Sequence, residues 1–383
     1  MTDTATAQGT SDVIVDADGH VCEPADLWER ALPAHLADHG IRLRWNEATG
    51  FDECLVEDGM ATDRGLAGLG NAGESFDDFG RGRHYEDLNP AGFDPQERVK
   101  VLDAEGIDVS VMYPGLGLKL GGIKDPELAV WSCKVYNDWL AEWCAAAPDR
   151  LKGAGALPLQ DPVEAAREAH RIRDIGLVGT FVRPNAYNDK PFHHWDYTPV
   201  WEALEETELP LGLHIAGLAD MPGASLLMRH LMAPGTHHAV IPVIDQMMTL
   251  SNLVYGGVLE RHPALKVVVL ESGGGWIAHW MDRLNEFEES YRWAAAPMSL
   301  SPEEYFKRQC WISFDPGERT PGPLAPLVGA DRYIWASDFP HNDAKYPGVV
   351  DELREHNDGL PDAERKGLYG LNALDMYGIP QPT

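Results

Sequence analysis

The stretch Trp335-Ala336-Ser337-Asp338-Phe339-Pro340-His341 decides the fold, together with Asp16-Ala17-Asp18-Gly19-His20 near the other end of the chain. Each stretch follows or completes a short apolar run and then changes abruptly to carboxylates and imidazoles. Buried parallel strands show this pattern where their C-terminal ends open on a site. The two stretches can combine their chemistry only if the last strand lies beside the first, as it does in a closed barrel.

Eight short apolar runs in the sequence predict strands, and amphipathic segments of helical period separate nearly all of them. The predicted strands are 13–18, 109–113, 152–157, 179–183, 210–214, 266–271, 310–314 and 333–337. Alternation of strands and helices predicts parallel pairing with right-handed crossovers. Eight such strands close a TIM barrel, (β/α)₈, which is an α/β fold. We therefore expect one barrel domain over 1–383, with the polar strand ends on its active-site face.

Two long segments interrupt this regular order. The polar segment 23–96 is too long for an ordinary loop between a strand and a helix. We expect it to be an insertion that caps one face of the barrel or contacts another subunit. The second excursion, 216–239, follows the fifth strand and contains His230, His237 and His238.

The charge of the chain narrows its partners. With 31 basic and 61 acidic residues, the net charge is -30. Such a surface repels phosphate backbones and anionic lipids, so we expect no binding to nucleic acid or to a membrane. An anionic substrate would need a local cation, for which Arg183, Arg229 and a bound metal are the candidates.

The five cysteines lack C-x-x-C spacing, which predicts neither a disulfide framework nor a four-thiolate zinc site. They fit a reducing compartment. The polar N-terminus lacks a basic and then apolar signal pattern, so we predict a cytoplasmic protein.

Four side chains at strand ends are candidates for a metal site. Asp18 and His20 are two residues apart on one strand and share a face. His214 ends an apolar strand, and a buried Asp338 costs several kcal/mol unless it is paired or binds a cation. Each also has a structural interpretation: a surface turn for the Asp18 and His20 pair, a hydrogen-bonded core histidine, and an ion-paired or helix-capping aspartate. Two imidazoles and two carboxylates together suit one divalent ion, Zn²⁺ first, with Mn²⁺ and Fe²⁺ also compatible.

The sequence resembles the amidohydrolase-related branch of the amidohydrolase superfamily. Its members include metal-dependent hydrolases and non-oxidative decarboxylases, such as aminocarboxymuconate semialdehyde decarboxylase and γ-resorcylate decarboxylase. The residues that carry the likeness are Asp16-x-Asp18-x-His20, Gly179-Thr-Phe-Val-Arg-Pro-Asn185, His214, Gly256-Gly-Val-Leu-Glu-Arg-His-Pro263, Glu271-Ser-Gly-Gly-Gly-Trp276 and Ser337-Asp-Phe-Pro340. The resemblance implies a TIM barrel in which Asp18, His20, His214 and Asp338 are metal ligands and Asp338 also handles a proton.

One position departs from the family pattern. Relatives commonly have a histidine after the sixth strand, whereas this chain has Ser272, preceded by Glu271. Either Glu271, or a histidine of the excursion or of the insertion, takes that role, or the chemistry differs. The catalytic candidates are therefore Asp338, Glu271 and His214.

Three further residues are candidates for substrate binding. Glu23 faces the metal or is a solvated loop acid. Arg183 binds a substrate carboxylate or forms an internal ion pair. Trp276 forms a pocket wall or packs the start of its helix. His341 is a candidate of a different kind. It lies three residues after Asp338 and either orients that carboxylate or caps the following loop.

These residues and the resemblance give three hypotheses for the function. The first is a non-oxidative decarboxylase of an aromatic or unsaturated carboxylic acid, with Asp338 as the acid because burial beside other carboxylates raises a pKa. The second is a metal-dependent hydrolase of an amide, lactone or ester. The third is a catalytically silent barrel that binds a small acid. The likeness and the long insertion also predict a homo-oligomer, a dimer or larger.

Overall fold

The structure is a computed structural model that describes residues 12–62, 66–74, 82–216 and 234–382. Its strands, in chain order, are β1 (Val15–His20), β2 (Arg42–Asn46), β3 (Phe51–Val56), β4 (Gly59–Thr62), β5 (Val109–Tyr113), β6 (Leu151–Ala156), β7 (Gly179–Val182), β8 (Leu211–Leu213), β9 (Val267–Val269), β10 (Cys310–Phe314) and β11 (Tyr333–Trp335).

The helices, in chain order, are α1 (Leu27–Ala31), α2 (Pro90–Phe93), α3 (Pro95–Glu105), α4 (Pro126–Cys144), α5 (Pro162–Asp174), α6 (Thr198–Thr207), α7 (Pro234–Tyr255), α8 (Val258–Arg261), α9 (Trp276–Tyr291), α10 (Pro302–Gln309), α11 (Pro321–Val328), α12 (Val349–Asn357), α13 (Asp362–Lys366) and α14 (Asn372–Tyr377). A π-helical turn, Gly367–Leu371, joins the last two. Among the described residues, no helix combines the length and the apolar content that crossing a bilayer requires.

Eight of the strands form one parallel sheet in the order β1-β5-β6-β7-β8-β9-β10-β11. All eight coincide with predicted strands, so the (β/α)₈ barrel is confirmed. The side chains of these strands are almost all buried, as expected for a parallel sheet that is covered on both faces. Helix α3 shows how local sequence fixes the crossovers: Asp94 caps its first turn, Pro95 begins it, and Gly106 ends it with φ 74°.

The ends of the chain meet at β1 and β11. The backbone N–H of Asp338 donates to the carbonyl of Asp18 at 3.0 Å, and the N–H of His20 donates to the carbonyl of Phe339 at 2.7 Å. The Asp16 carboxylate adds hydrogen bonds from the hydroxyls of Ser110, at 2.6 Å, and Ser337, at 2.8 Å. Asp16 therefore links β1 to both of its neighbours in the barrel.

The insertion after β1 contains an antiparallel sheet that we did not predict, β2-β3-β4. Its backbone is joined to the loop after β11, because the N–H of Ala72 donates to the carbonyl of Pro340 and that of Asn342 to the carbonyl of Gly68, both at 3.0 Å. Helix α1 packs on α4, where the indole of Trp28 donates to the Ser132 carbonyl at 3.1 Å. The described part of the insertion thus packs against the barrel, and its contact with another subunit stays a prediction.

Candidate functional site

Three side chains from two strands converge at the C-terminal end of the barrel. One ligand atom each of Asp18, His20 and His214 lies within 4.8 Å of the others. The Asp18 carboxylate lies 3.6 Å from His20 Nε2 and 3.4 Å from His214 Nε2. Asp338 joins them through Oδ1, which is 3.1 Å from His20 Nε2. The structure therefore brings together all four side chains that the sequence singled out as metal ligands.

Backbone carbonyls fix the tautomer of both imidazoles. His20 Nδ1 lies 2.8 Å from the carbonyl oxygen of Pro114, and His214 Nδ1 lies 2.6 Å from that of Ile215. A carbonyl oxygen only accepts hydrogen bonds, so each Nδ1 carries a proton, and in the neutral imidazole Nε2 presents a lone pair. Imidazoles that bind metals are oriented in the same way by the hydrogen bond of their other nitrogen.

The four residues fit a divalent cation. Asp18 Oδ1, His20 Nε2 and His214 Nε2 are buried and have no hydrogen-bond partner within the described part of the chain. In the neutral imidazoles, two lone pairs thus face carboxylate oxygens. Ligand atoms bonded to one ion at about 2.0 to 2.2 Å are roughly 3 to 3.5 Å apart. The separations of 3.1, 3.4 and 3.6 Å match that spacing.

The charges around the cluster also favour a cation. Burial lowers the pKa of the His20 imidazole, but Asp338 and Asp18 outweigh it and raise that pKa to about 9. Burial likewise opposes ionisation of Asp338, but His341 and His20 outweigh it and hold the pKa of that carboxyl well below its ordinary value. The expected net rise in the pKa of Asp338 is therefore wrong, because the two adjoining imidazoles outweigh burial.

Glu271, beside the cluster, is a carboxyl whose pKa is raised. It follows β9, and its Oε2 lies 3.4 Å from His214 Nδ1. Burial, and then the charge of Asp338, raise its pKa well above the ordinary value. The site therefore holds one carboxyl that favours the ionised form beside another that favours the protonated form.

Both carboxyls stand on strained backbone. Asp338 has φ 58° and Glu271 has φ 50°, in the left-handed region. Residues other than glycine in such conformations cost of order 1–3 kcal/mol each, and they persist where the surrounding structure fixes them. The turn after each strand thereby directs its carboxyl toward the cluster rather than along the strand.

His341 supports Asp338 from outside the cluster. Its Nδ1 lies 2.8 Å from Asp338 Oδ1, and its ring stacks on His20 with centroids 3.8 Å apart and planes at 22°. One ligand atom each of His20, Asp338 and His341 also lies within 4.8 Å of the others, so His341 is a close neighbour of the carboxylate. His341 is thus placed to orient Asp338.

A cavity of about 290 Å³ lies beside the cluster, above the ends of β9, β10 and β11. Glu271 and Asp338 form part of the cavity wall. The cavity therefore adjoins the contact of Asp338 with His20 and the contact of Glu271 with His214. Ala239, Pro242 and Val243 of α7 form the opposite part. The cavity is large enough for one small organic acid next to the cluster.

Comparison with known families identifies the family of the chain. The family model described as amidohydrolase matches residues 15–379. The chain belongs to the amidohydrolase family. The likeness noted in the sequence is therefore confirmed over nearly the whole chain.

The chain is similar to several relatives and solved structures along most of its length. γ-Resorcylate decarboxylase from Polaromonas sp. (strain JS666) is 25% identical over 314 residues, which cover 78% of this chain and 91% of the relative. An amidohydrolase from Mycobacterium avium subsp. paratuberculosis K-10 superposes with a TM-score of 0.80 at 21% identity, covering 97% of this chain and 100% of that one. A dihydroxybenzoic acid decarboxylase from Polaromonas sp. JS666, solved with bound manganese and the inhibitor 2-nitroresorcinol, superposes with a TM-score of 0.62 at 23% identity, covering 78% and 90%.

None of the three predicted substrate-binding residues is among the described residues that line the cavity. The buried Glu23 carboxylate accepts backbone N–H groups of Gly115, Leu116 and Gly117 at 3.2, 2.7 and 3.0 Å. Burial raises its pKa to about 7, even though these amides oppose the shift. Glu23 thus holds the loop after β5 rather than approaching the metal cluster.

Arg183 and Trp276 occupy two other positions. Arg183 is buried at the end of β7, where a Cβ on Gly121 would lie 2.6 Å from its Cδ, so its side chain passes close over that glycine. Trp276 begins α9, and its indole donates to the Ser272 hydroxyl at 3.4 Å. Neither lines the cavity among the described residues. Their roles in substrate binding stay predictions, and 217–233, most of the second excursion, lies outside the described residues.

The sequence reasoning missed several residues that support the cluster. Arg98 of α3 is buried and donates to the His20 carbonyl. The Tyr113 ring stacks on His214 with centroids 5.3 Å apart, and its hydroxyl lies 2.8 Å from that of Tyr377. A polar Ser110 inside the apolar strand Val109–Tyr113 was a usable signal, whereas nothing in the helical pattern marks Arg98.

Proposed function

We propose that this protein is a metal-dependent, non-oxidative decarboxylase of an aromatic carboxylic acid. The observation that carries the proposal is the convergence of two imidazole lone pairs and two carboxylates beside a cavity for a small molecule. Its relative from Polaromonas, matched over 91% of its length, is a γ-resorcylate decarboxylase. Relatives of that kind make loss of CO₂ the first reaction to test.

We propose Asp18, His20, His214 and Asp338 as the metal ligands. Zn²⁺ suits two imidazoles and two carboxylates, and we propose it first. Mn²⁺, which the solved dihydroxybenzoic acid decarboxylase contains, and Fe²⁺ are the alternatives. When bound, the ion supplies a Lewis acid that polarises oxygen groups of the substrate.

We assign Glu271 as the proton donor and Asp338 as the ionised partner. Decarboxylation requires a proton at the ring carbon that carries the carboxylate. The C–H bond forms, the C–C bond to the carboxylate breaks, its electron pair returns to the ring, and CO₂ leaves. Burial and the charge of Asp338 raise the pKa of Glu271, which favours its protonated form, and its carboxyl lines the cavity. His341 Nδ1 lies 2.8 Å from Asp338 Oδ1, and His214 Nδ1 lies 3.4 Å from Glu271 Oε2.

A second candidate function is hydrolysis of an amide, lactone or ester. One observation favours it: Asp338 is ionised, and an ionised carboxylate can take a proton from an attacking water. Incorporation of ¹⁸O from labelled water into the product would identify this reaction, since decarboxylation of the same acid incorporates none.

The decisive experiment combines metal content with CO₂ release. Protein purified without chelator is expected to hold about one divalent ion per chain, and to release CO₂ from at least one acid of a panel of hydroxylated benzoic acids. Chelation should abolish the release, and added Zn²⁺ or Mn²⁺ should restore it. A content far below one ion per chain would instead indicate the silent barrel. A loaded enzyme that decarboxylates no acid of the panel would refute the proposal.

We also propose a single domain over 1–383 and a homo-oligomer, a dimer or larger. The packing of the insertion on the barrel supports the first, and sedimentation of the purified chain tests the second. All five cysteines are buried and none forms a disulfide, which supports the proposed cytoplasmic location.

A further inference from the structure

One peptide group links the buried acid Glu23 to the imidazole of His20. The carbonyl oxygen of Pro114 lies 2.8 Å from His20 Nδ1. The N–H of the next residue, Gly115, donates to Glu23 Oε1 at 3.2 Å. Both groups belong to the planar peptide bond between Pro114 and Gly115. In a trans peptide the carbonyl and the N–H point in opposite directions, so His20 and Glu23 hold this peptide from its two sides.

Glu23 binds the start of the loop after β5 with both of its oxygens. The residue is 0% exposed. Besides the N–H of Gly115, Oε1 accepts that of Gly117 at 3.0 Å, and Oε2 accepts that of Leu116 at 2.7 Å. All three partners donate, and an ionised carboxylate is a side chain that only accepts. The loop is therefore built around a carboxylate rather than around a neutral side chain.

Two glycines allow the loop to approach Glu23 this closely. A Cβ on Gly115 would lie 2.4 Å from the carbonyl oxygen of Val21, and one on Gly117 would lie 2.9 Å from Glu23 Oε1. Neither position has room for a side chain unless its neighbours move. The glycines and the buried acid together fix the position of the Pro114–Gly115 peptide.

The backbone of His20 is held by other contacts. Its N–H donates to the carbonyl of Phe339, and Arg98 donates to its carbonyl. These bonds leave the ring free to turn about its side-chain bonds. The ring stacks on His341, but stacking does not distinguish one face of a flipped ring from the other. The carbonyl of Pro114 does, because it directs Nδ1 away from the cluster and Nε2 toward it.

We propose that Glu23 is a positioning residue that acts on the metal through the Pro114–Gly115 peptide and His20. The inference rests on the proposed function, because it takes His20 as a metal ligand. A carboxylate that accepts the N–H of a peptide polarises that peptide, so its carbonyl becomes a stronger acceptor. The stronger acceptor fixes the imidazole and raises the basicity of Nε2. Carboxylates act directly on many metal-binding imidazoles, whereas here one peptide lies between them.

The test is the affinity of the apoprotein for Zn²⁺, measured by competition with a chromogenic chelator. Glu23→Gln keeps the size of the side chain, but it removes the charge and replaces one acceptor by a donor that faces an N–H. Loss of a hydrogen-bond partner behind a ligand costs about 10- to 100-fold in metal affinity. We expect the dissociation constant of Glu23→Gln to rise within that range.

Two other carboxylates provide matched controls. Glu57 of the insertion accepts the N–H groups of Lys124 and Asp125, at 3.0 and 2.9 Å, and so holds the far end of the same loop. Glu168 is 1% exposed and accepts the side chain of Asn137 at 2.6 Å, between α4 and α5. Glu57→Gln and Glu168→Gln should keep the wild-type affinity for Zn²⁺, even where they lower the free energy of unfolding.

The proton on His20 Nδ1 gives a direct readout that global stability does not change. Its low-field NMR signal in the Zn²⁺-loaded protein is assigned by its absence from His20→Ala. We expect the signal to move upfield in Glu23→Gln, because the carbonyl of Pro114 becomes a weaker acceptor. It should stay in place in both controls.

A second variant disturbs the same contact and leaves the acid in the chain. Gly117→Ala presses on the carboxylate of Glu23 and should weaken Zn²⁺ binding in the same direction. Circular dichroism of the apoproteins shows whether each variant folds. If neither variant folds without metal, Glu23 serves the fold alone and the inference is refuted.

The remaining outcomes separate this inference from the proposed reaction. An unchanged affinity in Glu23→Gln, a loss that Glu168→Gln matches, or an unmoved Nδ1 proton signal would overturn the inference while the metal site stands. Failure of the wild type to bind Zn²⁺ would refute the proposed function, and this inference with it. The expected losses in a protein that releases no CO₂ would uphold the role of Glu23 and refute the decarboxylase.

Discussion

Replacement of Asp245 by asparagine should stabilise the protein. Asp245 lies on α7 and is 1% exposed, and neither of its carboxylate oxygens has a hydrogen-bond partner among the described residues. Burial raises its pKa from 3.8 to about 6, although the charge of Arg183 opposes the shift. The ionised carboxylate is therefore unfavourable in the folded state.

The size of the effect follows from that pKa. A shift of one unit corresponds to about 1.4 kcal/mol, so ionised Asp245 costs about 3 kcal/mol of folding free energy above pH 6. Because the folded pKa is raised, the folded chain holds the proton more tightly than the unfolded chain. This penalty grows as the pH rises from about 4 to about 6 and is then constant. The asparagine amide is also left without a partner, so we expect Asp245→Asn to gain about 1 to 3 kcal/mol at pH 8.

The measurement is urea unfolding of wild type and variant at pH 8 and pH 5.5, with chelator present so that metal binding does not contribute. Both values are above the sequence pI of about 4.7. The gain in the free energy of unfolding should be smaller at pH 5.5. The control variant Asp58→Asn, at a side chain that is 94% exposed, should leave the free energy of unfolding unchanged at both pH values. A variant that is less stable than wild type at pH 8 would refute the reasoning, because Arg183 would then require the charge of Asp245.

Three further predictions concern the cluster and the barrel closure. His214→Ala should lower bound metal from about one ion per chain to a small fraction, measured by elemental analysis with circular dichroism as the folding control; unchanged metal content would remove His214 from the ligand set. Glu271→Gln should lower kcat by about 10²- to 10⁴-fold while metal is retained, because it removes the proposed proton donor; full activity would assign the proton to another group. Asp16→Ala should cost about 2 to 4 kcal/mol in denaturant unfolding, because the hydrogen bonds from Ser110 and Ser337 are lost; a loss below 1 kcal/mol would show that other contacts close the barrel.

The barrel was predictable because its strands are encoded locally. The bounds predicted for β5 and β10 agree with the structure at both ends, since each is an apolar run flanked by residues that stop a strand. The candidate metal cluster followed from this, because an eight-stranded barrel leaves the ends of β1, β8 and β11 on one face. Local pattern and topology together were enough to bring Asp18 and Asp338 to one point.

What escaped prediction depends on contacts between distant segments. The pKa order of Asp338 and Glu271 is set by which of them adjoins His20 and His341, and no spacing in the sequence records that. Glu23 binds three amides of a loop that lies about ninety residues away. The hairpin of β3 and β4 and the helix α10 were also missed, although the sequence contains a signal for each. Asp58-Gly59 marks the turn between β3 and β4, and Ser301 with Glu304 forms the capping box of α10.

Because the barrel closes through its first and last strands, the candidate metal site forms only late in the synthesis of the chain. Asp18 and His20 leave the ribosome early, but Asp338 follows only after some 320 further residues, and the site does not exist until β11 lies beside β1. A nascent or truncated chain therefore offers the ion two ligands at most from this strand pair. The full set of proposed ligands is therefore present only once the barrel has closed.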